Sequence, residues 1–225
     1  FLLNRTIGRP MFTLKMASSI DGRIATASGE SRWITGPEAR RQVHLMRARH
    51  DAVLVGGGTA RADDPSLTVR DLGVTRQPVR VVASRRLDLP LMSVLARTAH
   101  EVPVWLLHGP DAAPELVQTW RDLGADLLPC DVDGAMLSPL SALQALGARG
   151  LNAVFCEGGG ALAASLIGAD LVDELVLFQA GVSIGAEGYP AIGALGLDRL
   201  AHATRYALAD QRRVGDDLMS VWRRG

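Results

Sequence analysis

Lysine is nearly missing from this chain. Lys15 stands alone, and the other 23 basic residues are arginines. A sole lysine inside the apolar run from Met11 to Met16 is not a chance surface charge. Cysteine is almost as scarce: Cys130 and Cys156 lie outside any CxxC pattern. That excludes a disulfide scaffold or a cysteine zinc site, and two free thiols suit a reducing cytoplasm. The five histidines form no H-x-E or H-x-x-x-H pattern, so no metal centre is expected. Aromatic residues make up 4% of the chain, which leaves Val, Leu and Ala to build the core. No basic-then-apolar signal segment opens the sequence. The longest weakly polar stretch, 175–197, is broken by Glu187, Pro190 and several glycines, so no membrane span is expected. The arginines form no run and have no aromatic stacking series beside them, which argues against nucleic acid as a partner.

There are no repeats and no low-complexity linker. With 225 residues, 48% hydrophobic and 21% charged, the chain reads as one globular domain. Net charge is zero but uneven: residues 1–100 carry 16 basic and 8 acidic side chains, and residues 101–225 carry 8 and 16. The basic half favours a small anionic ligand.

Short apolar strands are predicted at 12–18, 51–56, 79–83, 102–107, 125–128, 153–156 and 175–178, with a further extended piece at 23–26. Helices are predicted from Pro37 onward and over 113–123, 139–148 and 161–167; Pro37 fits the first helical position and Glu38 the positive helix end. Residues 131–134 read as a loop. Strands alternating with helices predict an α/β fold with a mostly parallel central sheet. Residues 206–214 and 218–222, joined by Gly215-Asp216-Asp217, predict a closing antiparallel hairpin.

Polar, glycine and ionisable residues crowd where these strands end, the place where α/β proteins hold ligands. The first such group runs Lys15 to Arg23, with an Asp21-Gly22 turn, then Ser31-Arg32-Trp33-Ile34-Thr35-Gly36. It continues as Gly56-Gly57-Gly58-Thr59 and Asp63-Asp64-Pro65 and closes on Leu67-Thr68-Val69-Arg70. Gly56-Gly57-Gly58 lacks the Lys-Ser/Thr of a phosphate-binding P-loop. The second group, Glu157-Gly158-Gly159-Gly160, stands between a strand and a helix, where backbone amides meet phosphates. Gly158 to Ala163 satisfies G-x-G-x-x-A, yet Leu177-Phe178 stands where the ordinary dinucleotide fingerprint has an acid.

Several residues admit two readings. Lys15 is either a snorkelling edge residue or an ammonium aimed into a polar cleft. Glu157 either accepts from substrate hydroxyls or caps amides. Asp63-Asp64-Pro65 also reads as a simple turn. Ser84-Arg85-Arg86 is either a surface charge cluster or a 2′-phosphate holder. Arg47 and Arg70 serve as phosphate ligands only if the fold brings them together.

Together these segments resemble the reductase domain of the bifunctional riboflavin-biosynthesis deaminase/reductase. The resemblance runs from Arg9-Pro10 to Trp222. Its most specific pieces are Lys15 to Arg23, Ser31 to Gly36, Thr59 to Arg70, Glu157 to Gly160 and Leu171-Val172-Asp173-Glu174. It implies a three-layer dihydrofolate reductase-like fold over residues 10–225 and an NADPH-dependent oxidoreductase. The reaction implied is reduction of the ribosyl C1′ of 5-amino-6-(5-phosphoribosylamino)uracil. Carried onto matching positions, Ser31, Arg47, Leu67, Arg70 and Glu157 line the substrate site and Lys15 contacts the ribosyl chain near the reacting carbon. Ala17, Trp33, Thr59, Asp63, Ser84 and Gly159, Gly160, Ala161, Leu162, Ala163, Ala164 and Ser165 line the cofactor site. A homodimer in the cytoplasm is also implied. Gly160 stands where the family often has proline, which is expected to loosen the loop.

The deaminase half has an H-x-E…P-C-x-x-C zinc signature, and neither part occurs here. Residues 1–9 resemble a linker following such a domain, so the chain is either a fragment of a larger protein or a free-standing reductase. Two other functions compete: a dihydrofolate reductase-like enzyme for another substrate, and a non-catalytic nucleotide-binding module.

Overall fold

The computed structural model describes residues 6–225; the first five positions of the expected 1–9 linker lie outside it. Strand β1 (Met11–Ser19) carries Lys15 at its centre. Its near-continuous burial matches its apolar run, as in strands covered on both faces. A short β2 (Arg23–Ala25) follows, then helix α1 (Pro37–Arg49). Pro37 opens that helix, Glu38 sits in its first turn, and Arg47 and Arg49 in its last, which complements the helix dipole.

Next come β3 (Ala52–Gly56), α2 (Gly57–Asp63), β4 (Val79–Ala83), α3 (Val94–Arg97), β5 (Val104–His108), α4 (Pro114–Asp122) and β6 (Asp126–Pro129). The loop expected at 131–134 is the tip of a small hairpin, β7 (Val132–Asp133) and β8 (Met136–Leu137). Then follow α5 (Pro139–Ala148), β9 (Ala153–Cys156), α6 (Gly160–Gly168), β10 (Glu174–Ala180), β11 (Tyr189–Pro190), β12 (Tyr206–Val214) and β13 (Asp217–Arg224). The expected fold class is the one formed: an α/β chain of mostly parallel strands with a C-terminal antiparallel pair.

The chain divides into two compact units. One holds residues 44–156 with 6–11; the other holds 12–43 and 157–225. In the first, parallel strands run in the order β9-β3-β4-β5-β6. Val53, Leu54, Val81, Val82, Leu106 and Leu107 are buried there. Arg80 is buried among them and donates to the Thr98 hydroxyl at 2.7 Å and to the Thr98 and Val102 carbonyls. Burial lowers its pKa to about 10 and nearby Glu101 opposes that shift, so this arginine clamps the turn before β5.

In the second unit the order is β12-β13-β10-β1, with β10 and β1 parallel and the hairpin antiparallel. Asp173 accepts the Phe12 N–H at 2.8 Å and so pins the start of β1 beside β10. Asp217, buried, accepts the Gly36 N–H at 2.7 Å just ahead of α1. A ribbon of β2 and β11 completes the unit.

Candidate functional site

In the second unit, Lys15 and Ala17 are both half-buried. Two positions apart on a strand, they leave the same face, roughly 6.6 Å apart along it. Lys15 stands beside Val176 of β10 and Ala17 beside Phe178. At the end of β1, the Ser19 hydroxyl donates to Asp21 Oδ1 at 2.6 Å. Asp21 also accepts the N–H groups of Ile184 and Gly185, the latter at 2.7 Å. The Ser19 hydroxyl, then the Gly185 and Ile184 amides, hold this carboxyl well below the usual carboxylate range. In the sequence Asp21 shows only as a turn residue, because its partners lie 163 and 164 positions away.

The corner at 31–36 is a turn in which the Ile34 N–H donates to the Ser31 carbonyl at 3.2 Å. Ser31 is half-buried, whereas Trp33 is 68% exposed. The Arg40 guanidinium lies 4.5 Å from the Trp33 ring centroid and donates to the Thr35 carbonyl at 2.8 Å. This cation–π contact keeps the exposed indole in place.

Glu157, half-buried, follows β9 directly. Gly159 is the N-cap of α6, with extended backbone and no side-chain cap. The first N–H groups of that helix are therefore donors without an intrahelical acceptor. Of the residues Gly159 to Ser165, Ala163 and Ala164 are buried in the core and Ala161 is exposed. What this stretch can offer a ligand is mainly backbone at the helix start. Gly160 is not loose, contrary to expectation. A Cβ there would stand 2.4 Å from the Pro190 carbonyl oxygen, and the Gly160 carbonyl accepts the Gly193 N–H at 2.9 Å. The β11 segment closes directly on this glycine.

In the first unit, α1 and the segment 67–70 bring Arg47 and Arg70 into one neighbourhood. Arg47 Nη1 donates to the Thr68 carbonyl at 2.8 Å. Arg70, two residues on, is exposed and donates its backbone N–H to His44 Nδ1 at 3.2 Å. Leu67 is 2% exposed and has φ 55°, so it has backbone and not side chain to offer a ligand. His44 was missed because its bond reaches a backbone group 26 residues away, which leaves no local pattern.

Thr59 and Asp63 lie on α2, half-buried and exposed respectively. Ser84, 4% exposed, donates its hydroxyl to Asp88 at 2.9 Å, and Asp88 pairs with Arg61 at 2.8 Å. Arg85 and Arg86 both pair with Asp111. Those guanidiniums, Arg85 foremost, hold the Asp111 carboxyl below its usual range. Both arginines thus have an internal counter-charge. Helix α2, like α6, starts on a glycine N-cap with no side-chain cap, and a Cβ at Gly58 would meet nothing within 4 Å. Uncapped amides beside bare glycine backbone fit the phosphates of a dinucleotide such as NADPH.

Mostly parallel strands, with glycines, arginines and carboxylates gathered near their ends, define an α/β protein. Its family follows from comparison with known proteins. The model of the RibD C-terminal domain matches residues 10–220. Riboflavin biosynthesis protein RibD of Escherichia coli K12 is 34% identical over 228 residues, covering 97% of this chain and 61% of that protein. The structure of Acinetobacter baumannii RibD matches with a TM-score of 0.82 and 31% identity, over 99% of this chain and 60% of that one. A Thermotoga maritima structure matches with a TM-score of 0.81 and 27% identity, over 100% of this chain and 59% of that one. It is described as a diaminohydroxyphosphoribosylaminopyrimidine deaminase/5-amino-6-(5-phosphoribosylamino)uracil reductase. The chain belongs to the RibD C-terminal domain family. It spans about three fifths of the length of these relatives.

Proposed function

We propose that this chain is the reductase that converts 5-amino-6-(5-phosphoribosylamino)uracil to its ribitylamino product, with residues 10–225 acting as one reductase domain. The observation that carries this reading is the arginine pair: Arg47 bonded to the Thr68 carbonyl at 2.8 Å, two residues from exposed Arg70. Two arginines, one on α1 and one on the segment that α1 is bonded to, suit a sugar phosphate. The reductase activity by which the Thermotoga maritima relative is described supports the same substrate.

In this reading Arg47 and Arg70 hold the phosphate, with Ser31 and the Leu67 backbone completing the substrate contacts. Glu157 accepts hydrogen bonds from the sugar hydroxyls. NADPH supplies the hydride when bound. Ala17, Trp33, Thr59, Asp63, Ser84 and the stretch Gly159 to Ser165 would hold it, the last mainly through backbone at the start of α6. The open-chain imine of the substrate takes hydride at C1′ and a proton at the adjacent nitrogen. Lys15 presents its ammonium to the ribosyl chain beside that carbon and stabilises the charge that develops there. Fixing the partners in a reactive geometry contributes roughly 7–11 kcal/mol to such a step, so the protein's main task is positioning.

The test is NADPH oxidation with the phosphorylated pyrimidine. Turnover is expected, and Arg70→Ala is expected to raise KM for that substrate roughly 10- to 100-fold, the loss typical of a hydrogen bond to a charged group. An unchanged KM favours a dihydrofolate reductase-like enzyme for another substrate. NADPH binding without turnover, together with silence of Lys15→Met, favours a nucleotide-binding module.

Two wider assignments belong to the same reading. The nine-residue β12 is exposed along almost its whole length, and a second copy of the chain pairing there makes a homodimer, measurable by sedimentation. Both cysteines are buried thiols outside any disulfide, and burial pushes the Cys130 thiol up to about 11; this suits a cytoplasmic enzyme. Among the described residues no helix is long and apolar enough to cross a membrane.

A further inference from the structure

The segment from Leu67 to Arg70 belongs to no helix or strand, yet side chains hold its backbone. Leu67 turns the chain with a left-handed φ of 55°. The Thr68 carbonyl accepts from Arg47 Nη1 at 2.8 Å. The Val69 N–H donates to Gln77 Oε1 at 2.7 Å, and its carbonyl accepts from Gln77 Nε2 at 3.2 Å. The Arg70 N–H donates to His44 Nδ1 at 3.2 Å. Loop amides ordinarily turn to water or to other backbone. Here His44, Arg47 and Gln77 replace both. His44 and Arg47 are three residues apart on α1, so they share one helix face. Only the Arg70 side chain is left exposed at the end of this frame.

We propose that His44 is a positioning residue for phosphate recognition. Its Nδ1 fixes the Arg70 backbone, so the guanidinium is presented to the substrate phosphate from an anchored root. The inference rests on the reading of Arg70 as a phosphate ligand. The chemistry selects the residue type. An imidazole accepting at Nδ1 keeps its proton on Nε2. An asparagine carboxamide oxygen stands the same number of bonds from Cβ as Nδ1 does, and can accept the same N–H. Glutamine is one bond too long.

The experiment compares His44→Ala, His44→Asn and His44→Gln. His44→Ala is expected to raise KM for the phosphorylated pyrimidine about tenfold, the upper range for one neutral hydrogen bond, with kcat and the KM for NADPH within about twofold. His44→Asn restores most of the loss and His44→Gln does not. The substrate without its phosphate shows no dependence on His44. A KM for His44→Ala within twofold of wild type overturns the proposal, as does an equal loss on the dephosphorylated substrate. If His44→Ala does not fold, the contrast between Asn and Gln carries the test, and Gln matching Asn overturns it. Calorimetric titration with ribose 5-phosphate separates the two levels. Binding that depends on His44, without turnover of the pyrimidine, overturns the substrate reading and keeps the positioning role. Absence of both turnover and ribose 5-phosphate binding overturns both.

Discussion

Two triple-glycine turns carry the same local plan and are braced by different means. Gly56-Gly57-Gly58 links β3 to α2, and Gly158-Gly159-Gly160 links β9 to α6. In both, the N-cap glycine is extended, with φ −79° at Gly56 and −70° at Gly159, and no side chain caps the helix. The neighbours differ. A Cβ at Gly57 would meet the Ser84 side chain at 3.2 Å and Arg61 Nη1 at 3.3 Å. Side chains of that kind can give way. A Cβ at Gly160 would meet backbone, the Pro190 carbonyl oxygen at 2.4 Å. Identical letters therefore answer to different constraints: one turn is lined by side chains, the other is closed by a second stretch of main chain.

The comparison is broken most directly at Gly160. Gly160→Ala is expected to cost about 2–3 kcal/mol, the upper range for overpacking, because a carbonyl must move. Denaturant unfolding checks this, and a loss below about 0.5 kcal/mol, the scatter of ordinary surface changes, would show that the β11 segment yields easily. Gly57→Ala is expected to cost less, about 1 kcal/mol, since Ser84 and Arg61 can shift by a few tenths of an ångström. Equal losses at the two glycines would erase the distinction.

Asp21 probes the bracing of the β11 side at longer range. Its folded pKa is depressed below the ordinary 3.8, so its contribution is present above that value and fades as pH falls through and below it. Asp21→Asn is therefore expected to lower the melting midpoint modestly at pH 7, with the gap to wild type closing below about pH 4. A gap that is constant from pH 3 to 7 would assign the effect to lost geometry instead of charge. The smallest effect is expected at Gly58, where a Cβ meets nothing. Gly58→Ala should leave stability within about 0.5 kcal/mol of wild type or slightly raise it. If NADPH phosphate approaches that backbone, its affinity falls all the same, and isothermal titration separates the two readouts.

Much of the fold was legible because its strands and helices are long enough to show their period. Residues 79–83, 139–148, 153–156 and 206–214 have the predicted limits. Helix α2 was not legible: it is seven residues long and opens on two glycines, which are poor helix formers. Nor was β11, since a two-residue pairing has no periodicity to read. For the candidate residues, composition marks Lys15, and Arg47 reaches the Thr68 carbonyl of the segment that ends at Arg70. The supporting groups were hidden for one physical reason. His44, Asp21 and Asp217 each act on backbone far away in sequence, and such bonds ask nothing distinctive of their partner's side chain.

The bond from Gly36 to Asp217, spanning 181 positions, also bears on the order of events during synthesis. Residues 44–156 form one unbroken stretch and can organise as they leave the ribosome. The unit containing Lys15 cannot: β1 must wait for β10, and the entry to α1 must wait for β13. Contacts of such sequence separation form late. The strand that bears the lone lysine is therefore made about 160 residues ahead of β10, the strand it pairs with in its own unit.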